Sequence, residues 1–313
     1  MSTVKSLIVV AVKQHWPLFQ LNVNNFASYS SPSMVCDRLP DNGMLNYLRG
    51  SGSFLVILAV YVDDIILTGT DLSEISSLRG FLHEKFRIKD LDPLNYFLGI
   101  GVLYCDSGVL LHQKKFIHDL LELFASSASS SVVCPLDINE KLKASVGDPF
   151  PKPEEYRCLA ALHLLRYLKR TSHFGLFFSN SPNLSLKVYC DSDWASCVDS
   201  RRSVTGFCVF LGDCLVSWKS KKQLVVYLST AEAEYRVVSK AAGEVTWLSR
   251  LLSDFGLPFS SPIPLCCDNQ AALHIARNPV FHERTKHIEL DCHFVRGKIG
   301  DGLISLGQRC SSC

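Results

Sequence analysis

The chain has 313 residues, 47% of them hydrophobic and 20% charged, with 32 Lys+Arg against 30 Asp+Glu for a formal net charge of +2. At roughly 150 residues per domain this predicts about two globular domains, and it excludes disorder along the whole chain. The near-neutral balance also excludes recognition of a polyanion by global charge, so any contact with nucleic acid must come from local basic patches.

The apolar start, Ser6–Val12, lacks a small-residue cleavage site and is a poor secretory signal. The longest strongly apolar run, Phe54–Val62, is nine residues, against the roughly 18 a spanning helix needs. No membrane span and no export are expected, and the 13 cysteines read as reduced thiols of an intracellular protein. The only Cys-x-x-Cys, Cys310 to Cys313, reads as tail.

Residues 27–53, rich in Ser, Pro, Asn and Gly, read as loop. Phe54–Val60 and Ile65–Leu67 predict a buried hairpin with Asp63 and Asp64 at its tip. Helical spacing over 71–87 has Asp71 as N-cap and Glu74 three residues on. Strand-like sequence follows at 94–112 and a helix at 114–125. The pattern lapses over 126–157, the best linker, before a basic amphipathic helix at 158–170. Strands are expected at 184–191, 203–211 and 214–219, the last two joined at Gly212-Asp213. A long helix over 230–255, a short buried strand at 263–267 and helices at 269–277 and 286–299 complete the chain. This order predicts an α/β sheet of mixed direction, three antiparallel strands with a parallel extension.

Four acids stand out. Asp191 ends the first strand of this half, and Asp268 ends the fourth. Strand ends are where open sheets place their sites, although Asp268 also suits the N-cap of the helix starting at Asn269. In the long helix Glu234 falls on the apolar stripe of Val238, Ala241, Val245, Leu248 and Leu252. Glu232 falls on the polar face with Arg236, Ser239 and Lys240. Asp291 shares an apolar stripe with Ile288, Cys292 and Val295. Carboxylates on core-facing stripes need compensation. Acids converging from separate elements need cations, and an oxygen-only set suits two Mg²⁺ or Mn²⁺ ions, the device for in-line attack on a phosphodiester.

The segments Tyr189–Ala195, Arg201–Gly206, Ser217–Lys222, Ala231–Tyr235, Cys267–Ala271 and Asn278–Asp291 resemble the ribonuclease H domain of copia-type retrotransposon polyproteins, over about residues 159–300. The resemblance implies a ribonuclease H-like mixed five-stranded sheet with flanking helices. It also implies a two-metal site on Asp191, Glu234, Asp268 and Asp291, and cleavage of the RNA strand of an RNA–DNA hybrid. His282 is the candidate for the mobile histidine of cellular ribonucleases H, the alternative being a loop histidine. Lys219, Lys221 and Lys222 are candidates to grip the DNA strand, or else form a solvated basic turn, and Asn269 and Gln270 are further candidates for nucleic-acid contact.

In the N-terminal half Tyr61-Val-Asp-Asp64, with Phe86–Ile100 following, resembles the reverse transcriptase palm of the same elements. The resemblance makes Asp63 and Asp64 the remnant polymerase acids. The family's earlier palm aspartate is matched by Asn22, an amide that is a poor bridging ligand. The stretch between Phe26 and Phe54 is too short for the family's fingers-side and nucleotide-pocket sequence. The expected layout is a truncated α+β palm at 1–125, a linker and connection helix at 126–180, the ribonuclease H-like domain at 181–305 and a tail at 306–313. Alternatives to the ribonuclease reading are the RNA-directed DNA polymerase and a non-catalytic nucleic-acid-binding remnant.

Overall fold

The computed structural model describes residues 1–22, 46–49, 54–61, 64–124, 130–135, 152–278 and 288–308. They fall into two compact units, His15–Asn180 and the pairing of Met1–Gln14 with Ser181–Cys313. The helix α1 (Ser2–Lys13) therefore belongs with the second unit.

The first unit is α+β. Its larger sheet comprises β1 (Leu18–Asn22), β2 (Asn46–Arg49), β3 (Leu55–Tyr61), β4 (Asp64–Gly69) and β5 (Lys89–Pro93), in the order β2-β3-β4-β1-β5 with every pairing antiparallel. The expected hairpin is β3–β4, closing at Tyr61 opposite Asp64. At the other end of the pair, opposite Val56, Gly69 is required, since a Cβ would stand 2.2 Å from the Leu55 carbonyl oxygen. The helix α2 (Leu72–Phe86) begins where the Asp71 carboxylate accepts the Ser73 and Glu74 N–H groups. Its Ile75 and Leu82 pack on Leu21, Leu58, Ile65 and Leu67. A second antiparallel sheet, β6-β7-β8-β9, is built from β6 (Tyr96–Phe97), β7 (Ile100–Cys105), β8 (Gly108–His112) and β9 (Gly175–Ser179). The helices α3 (Lys114–Phe124) and α4 (Pro153–Thr171) pack on each other. The segment read as linker and connection thus ends in a helix and strand integral to this unit, because β9 supplies the partner β8 needs for its free edge.

The second unit carries β10 (Leu186–Asp193), β11 (Val204–Leu211), β12 (Cys214–Lys222), α5 (Thr230–Asp254), β13 (Ile263–Cys267), α6 (Gln270–Arg277), α7 (Glu289–Gly300) and β14 (Ile304–Gln308). Its sheet order is β12-β11-β10-β13-β14. The first three strands are antiparallel, and β13 and β14 extend the sheet in parallel. This is the ribonuclease H-like mixed five-stranded sheet with flanking helices. The fifth strand runs to Gln308, past the start of the expected tail, because its backbone pairs with β13 throughout. Gly212 turns the β11–β12 hairpin with φ +62.

Residues 1–14 pack in this unit rather than with the palm strands. The α1 helix lies on β12, where Ser2 Oγ donates to Ser217 Oγ and Ser217 Oγ donates to Glu244 Oε1 on α5. The Lys13 ammonium, its side chain fully buried, pairs with Asp213 at 2.7 Å and donates to the Ser181 carbonyl. Burial holds the Lys5 ammonium down at about 8, opposed by Glu244. No described helix is long and apolar enough to cross a membrane.

Candidate active site

The strand register brings the first two acids together. Cys190 on β10 is in parallel register with Cys267 on β13, so Asp191 and Asp268 are the next residues on neighbouring strands. Both are exposed at the strands' carboxyl ends. Asp268 is not the cap of α6. Asn269 takes that role, its Oδ1 accepting the Ala272 N–H at 2.9 Å, and so the Asp268 carboxylate is not committed to the helix.

The third acid comes from α5. That helix starts at Ser229, whose hydroxyl accepts the Glu232 N–H, while Glu232 Oε2 accepts the Leu228 N–H. This is a capping box displaced by one residue. Glu232 is therefore spent on the helix end and half-buried, not fully solvated. Glu234 turns to the sheet and is 5% exposed. A single N–H, that of Ser192, donates to Asp191 Oδ1 at 2.9 Å and to Glu234 Oε1 at 3.0 Å.

Burial, the Cys267 thiol and the Asp191 and Asp268 carboxylates push the Glu234 carboxyl up to about 8, against the pull of the Ser192 N–H. A buried acid beside like charges is costly unless a proton or a cation compensates it. Glu234 and Asp268 bring carboxylate oxygens within 4.8 Å of one another, the hard donors that Mg²⁺ or Mn²⁺ takes, with Asp191 on the neighbouring strand. The pH consequence follows by linkage. Between the ordinary glutamate value and about 8 the folded chain keeps a proton that the unfolded chain releases, so this group makes stability fall as pH rises through that window. In denaturation series from pH 5 to 9, Glu234→Gln is expected to flatten that fall. Parallel slopes for variant and wild type would contradict the assignment.

Asp291 is placed differently. It is 8% exposed on α7, and Arg236 Nη1 donates to its Oδ1 at 2.5 Å and its Oδ2 at 2.7 Å. Ser239 Oγ donates to Oδ1 at 2.7 Å. Three of the four expected acids thus share one electrostatic neighbourhood, while the fourth is held by a cation of the protein's own. The group of described side chains whose ligand atoms lie within 4.8 Å of one another is Glu234, Cys267 and Asp268. Cys267 and Arg236 are the residues that sequence reasoning left out. A strand-alternation count would have found Cys267, which faces inward beside the outward Asp268. A stripe-borne Asp291 needs a counter-ion, but nothing local in the sequence singles out Arg236 as that partner.

His282 lies outside the described residues. Lys219, Lys221 and Lys222 line one groove with Arg236 and Lys240, a local basic patch on a nearly neutral chain. Lys222 Nζ also donates to Cys197 Sγ at 2.9 Å, which with Ser200 holds that thiol down at about 6. Gln270 is exposed at the first turn of α6. In the other unit Asp63 lies outside the described residues, and Asn22 Nδ2 donates to Asp64 Oδ1 at 3.1 Å across the β1–β4 pair.

Comparison with known proteins gives three kinds of likeness. A family model described as reverse transcriptase (RNA-dependent DNA polymerase) matches residues 39–138. The retrovirus-related Pol polyprotein from transposon RE2 of Arabidopsis thaliana is 30% identical over 383 residues, covering 97% of this chain and 26% of that protein. The one from transposon TNT 1-94 of Nicotiana tabacum is 29% identical, covering 88% of this chain and 23% of that protein. The chain thus spans about a quarter of these relatives. The RE2 alignment is longer than the 313 residues here, so stretches of that relative have no counterpart in this chain. Among solved structures, RNase H1 from Halobacterium salinarum NRC-1 is 16% identical over 41% of this chain and 87% of that one, with a TM-score of 0.28. The fold assignment rests on the strand order itself.

Proposed function

Because the chain belongs to the copia-type, retrovirus-related Pol polyproteins of transposons, we propose that its second unit is a ribonuclease H that cuts the RNA strand of an RNA–DNA hybrid. The observation that carries this reading is the register of Cys190 with Cys267, which sets Asp191 beside Asp268 under the buried Glu234.

Asp191, Glu234 and Asp268 would hold the divalent ions. When bound, two such ions supply an activated water and stabilise the leaving 3′ oxygen. The Ser192 N–H fixes the Asp191 and Glu234 carboxylates relative to each other. Asp291 becomes available as a fourth donor only when Arg236 leaves it. Arg236 already lines the groove of Lys219, Lys221 and Lys222, where a phosphate of the hybrid is the natural alternative partner. His282 is retained as the candidate for moving a proton at the leaving group.

The whole chain is the right protein to test, since a fragment lacking α1 would bare its contact face on β12. Incubated with Mg²⁺ and labelled duplexes, it is expected to cut the RNA strand of a hybrid and to spare double-stranded RNA and DNA. An intact hybrid, or equal cutting of all three duplexes, would contradict the proposal.

A specific observation disfavours the polymerase activity of the same family. At Asn22 an amide hydrogen bond to Asp64 stands where a second carboxylate would share an ion. Primers on an RNA template are expected to stay unextended.

A further inference from the structure

Cys267 changes what the site can hold. It ends β13 with 0% exposure, and its Sγ stands 3.8 Å from Glu234 Oε2. Tetrahedral zinc, with Zn–S of about 2.3 Å and Zn–O of about 2.0 Å, sets a sulfur and an oxygen ligand about 3.5 Å apart. The spacing here needs only a few tenths of an ångström of adjustment. An Asp268 carboxylate oxygen completes a set of three ligand atoms within 4.8 Å of one another.

We propose that Glu234, Cys267 and Asp268 form a site for a thiophilic divalent ion such as Zn²⁺, with its fourth position left to water, and that an ion seated there shuts off the hydrolytic site. The second clause rests on the ribonuclease reading, and the first stands without it. One physical fact favours the soft ion. A thiolate selects Zn²⁺ over Mg²⁺, which keeps to oxygen ligands and water. The bond balances simply, because the Cys267 S–H gives its proton to solvent as the sulfur–metal bond forms, and any proton on Glu234 leaves the same way. Of the two remaining family acids, Asp291 is engaged by Arg236 and Ser239, and Asp191, which shares the Ser192 N–H with Glu234, lies outside the group of three ligand atoms.

The test is a titration of the reduced full chain with Cd²⁺, free of other divalent ions, read by thiolate-to-metal charge-transfer absorption. Wild type is expected to show one tight component that Cys267→Ser and Cys267→Ala both lose. Asp268→Asn and Glu234→Gln should weaken the same component by about tenfold or more. Superimposable titrations of wild type and both Cys267 variants would overturn the proposal, as would a component indifferent to the two acids, which marks an ordinary thiol. In the Mg²⁺ assay Zn²⁺ is expected to inhibit wild type at concentrations about tenfold lower than Cys267→Ser. Equal inhibition of the two overturns the second clause. Hybrid cleavage without the Cd²⁺ component sinks the soft-ion site and leaves the ribonuclease standing, and the component without cleavage does the reverse.

Discussion

Glu234→Gln in the full chain is expected to lower hybrid cleavage by on the order of a thousandfold at saturating Mg²⁺, the scale on which a preorganised electrostatic contact acts at a reacting centre. The substitution is nearly isosteric. The amide oxygen can still accept the Ser192 N–H, so the backbone at the end of β10 keeps its anchor. What disappears is the charge that Glu234 takes on when a bound ion displaces its proton. The loss is expected in the single-turnover rate of bound hybrid, with hybrid affinity little changed, because Glu234 is buried away from the basic groove. Glu232, two residues earlier, is the internal control. It caps the helix end, so Glu232→Gln is expected to leave the rate within about threefold and to cost up to about 1 kcal/mol of stability. A Glu234→Gln enzyme as fast as Glu232→Gln would remove Glu234 from the chemistry.

Arg236→Ala is the second large effect, and it is one of stability. It leaves Asp291 buried without its cation, and breaking a buried pair costs about 3–5 kcal/mol. The Arg236 side chain is 34% exposed and Ser239 still donates, so solvent screening brings the expectation to about 2 kcal/mol. A double-mutant cycle with Asp291→Asn isolates the pair, because the double variant has no orphaned charge. It is expected to recover most of the loss in a urea titration. Mn²⁺ should stabilise Arg236→Ala more than wild type, since a divalent ion can then reach a carboxylate freed of its guanidinium. Additive single effects with no extra response to Mn²⁺ would show that Asp291 is neither pinned by Arg236 nor open to metal.

Much of the second unit is legible in the chain because its two periodicities are clean. Leu186, Val188 and Cys190 alternate along β10, and Val238, Ala241, Val245 and Leu248 mark the buried stripe of α5 that carries Glu234 with it. Cap identity is less legible. Asp268 and Asn269 are both good N-caps, and only the geometry of the β13–α6 turn decides for Asn269. Pairing across the fold is not legible at all. Nothing local in Ser2–Lys13 says that this buried helix lies on β12, or that Lys13 meets Asp213. The same holds for Arg236 and Asp291, which are 55 positions apart in the chain. A helical wheel puts Arg236 on the polar face, and only the approach of α7 turns that face into the lining of an ion pair.

The most direct measurement is anomalous scattering from crystals of the full chain soaked in Mn²⁺. Peaks are expected at the carboxyl ends of β10 and β13, in contact with Asp191, Glu234 and Asp268, and absent in an Asp268→Asn crystal. Manganese elsewhere on the surface, with those three carboxylates left bare at millimolar Mn²⁺, would contradict a shared metal site and the hydrolysis built on it.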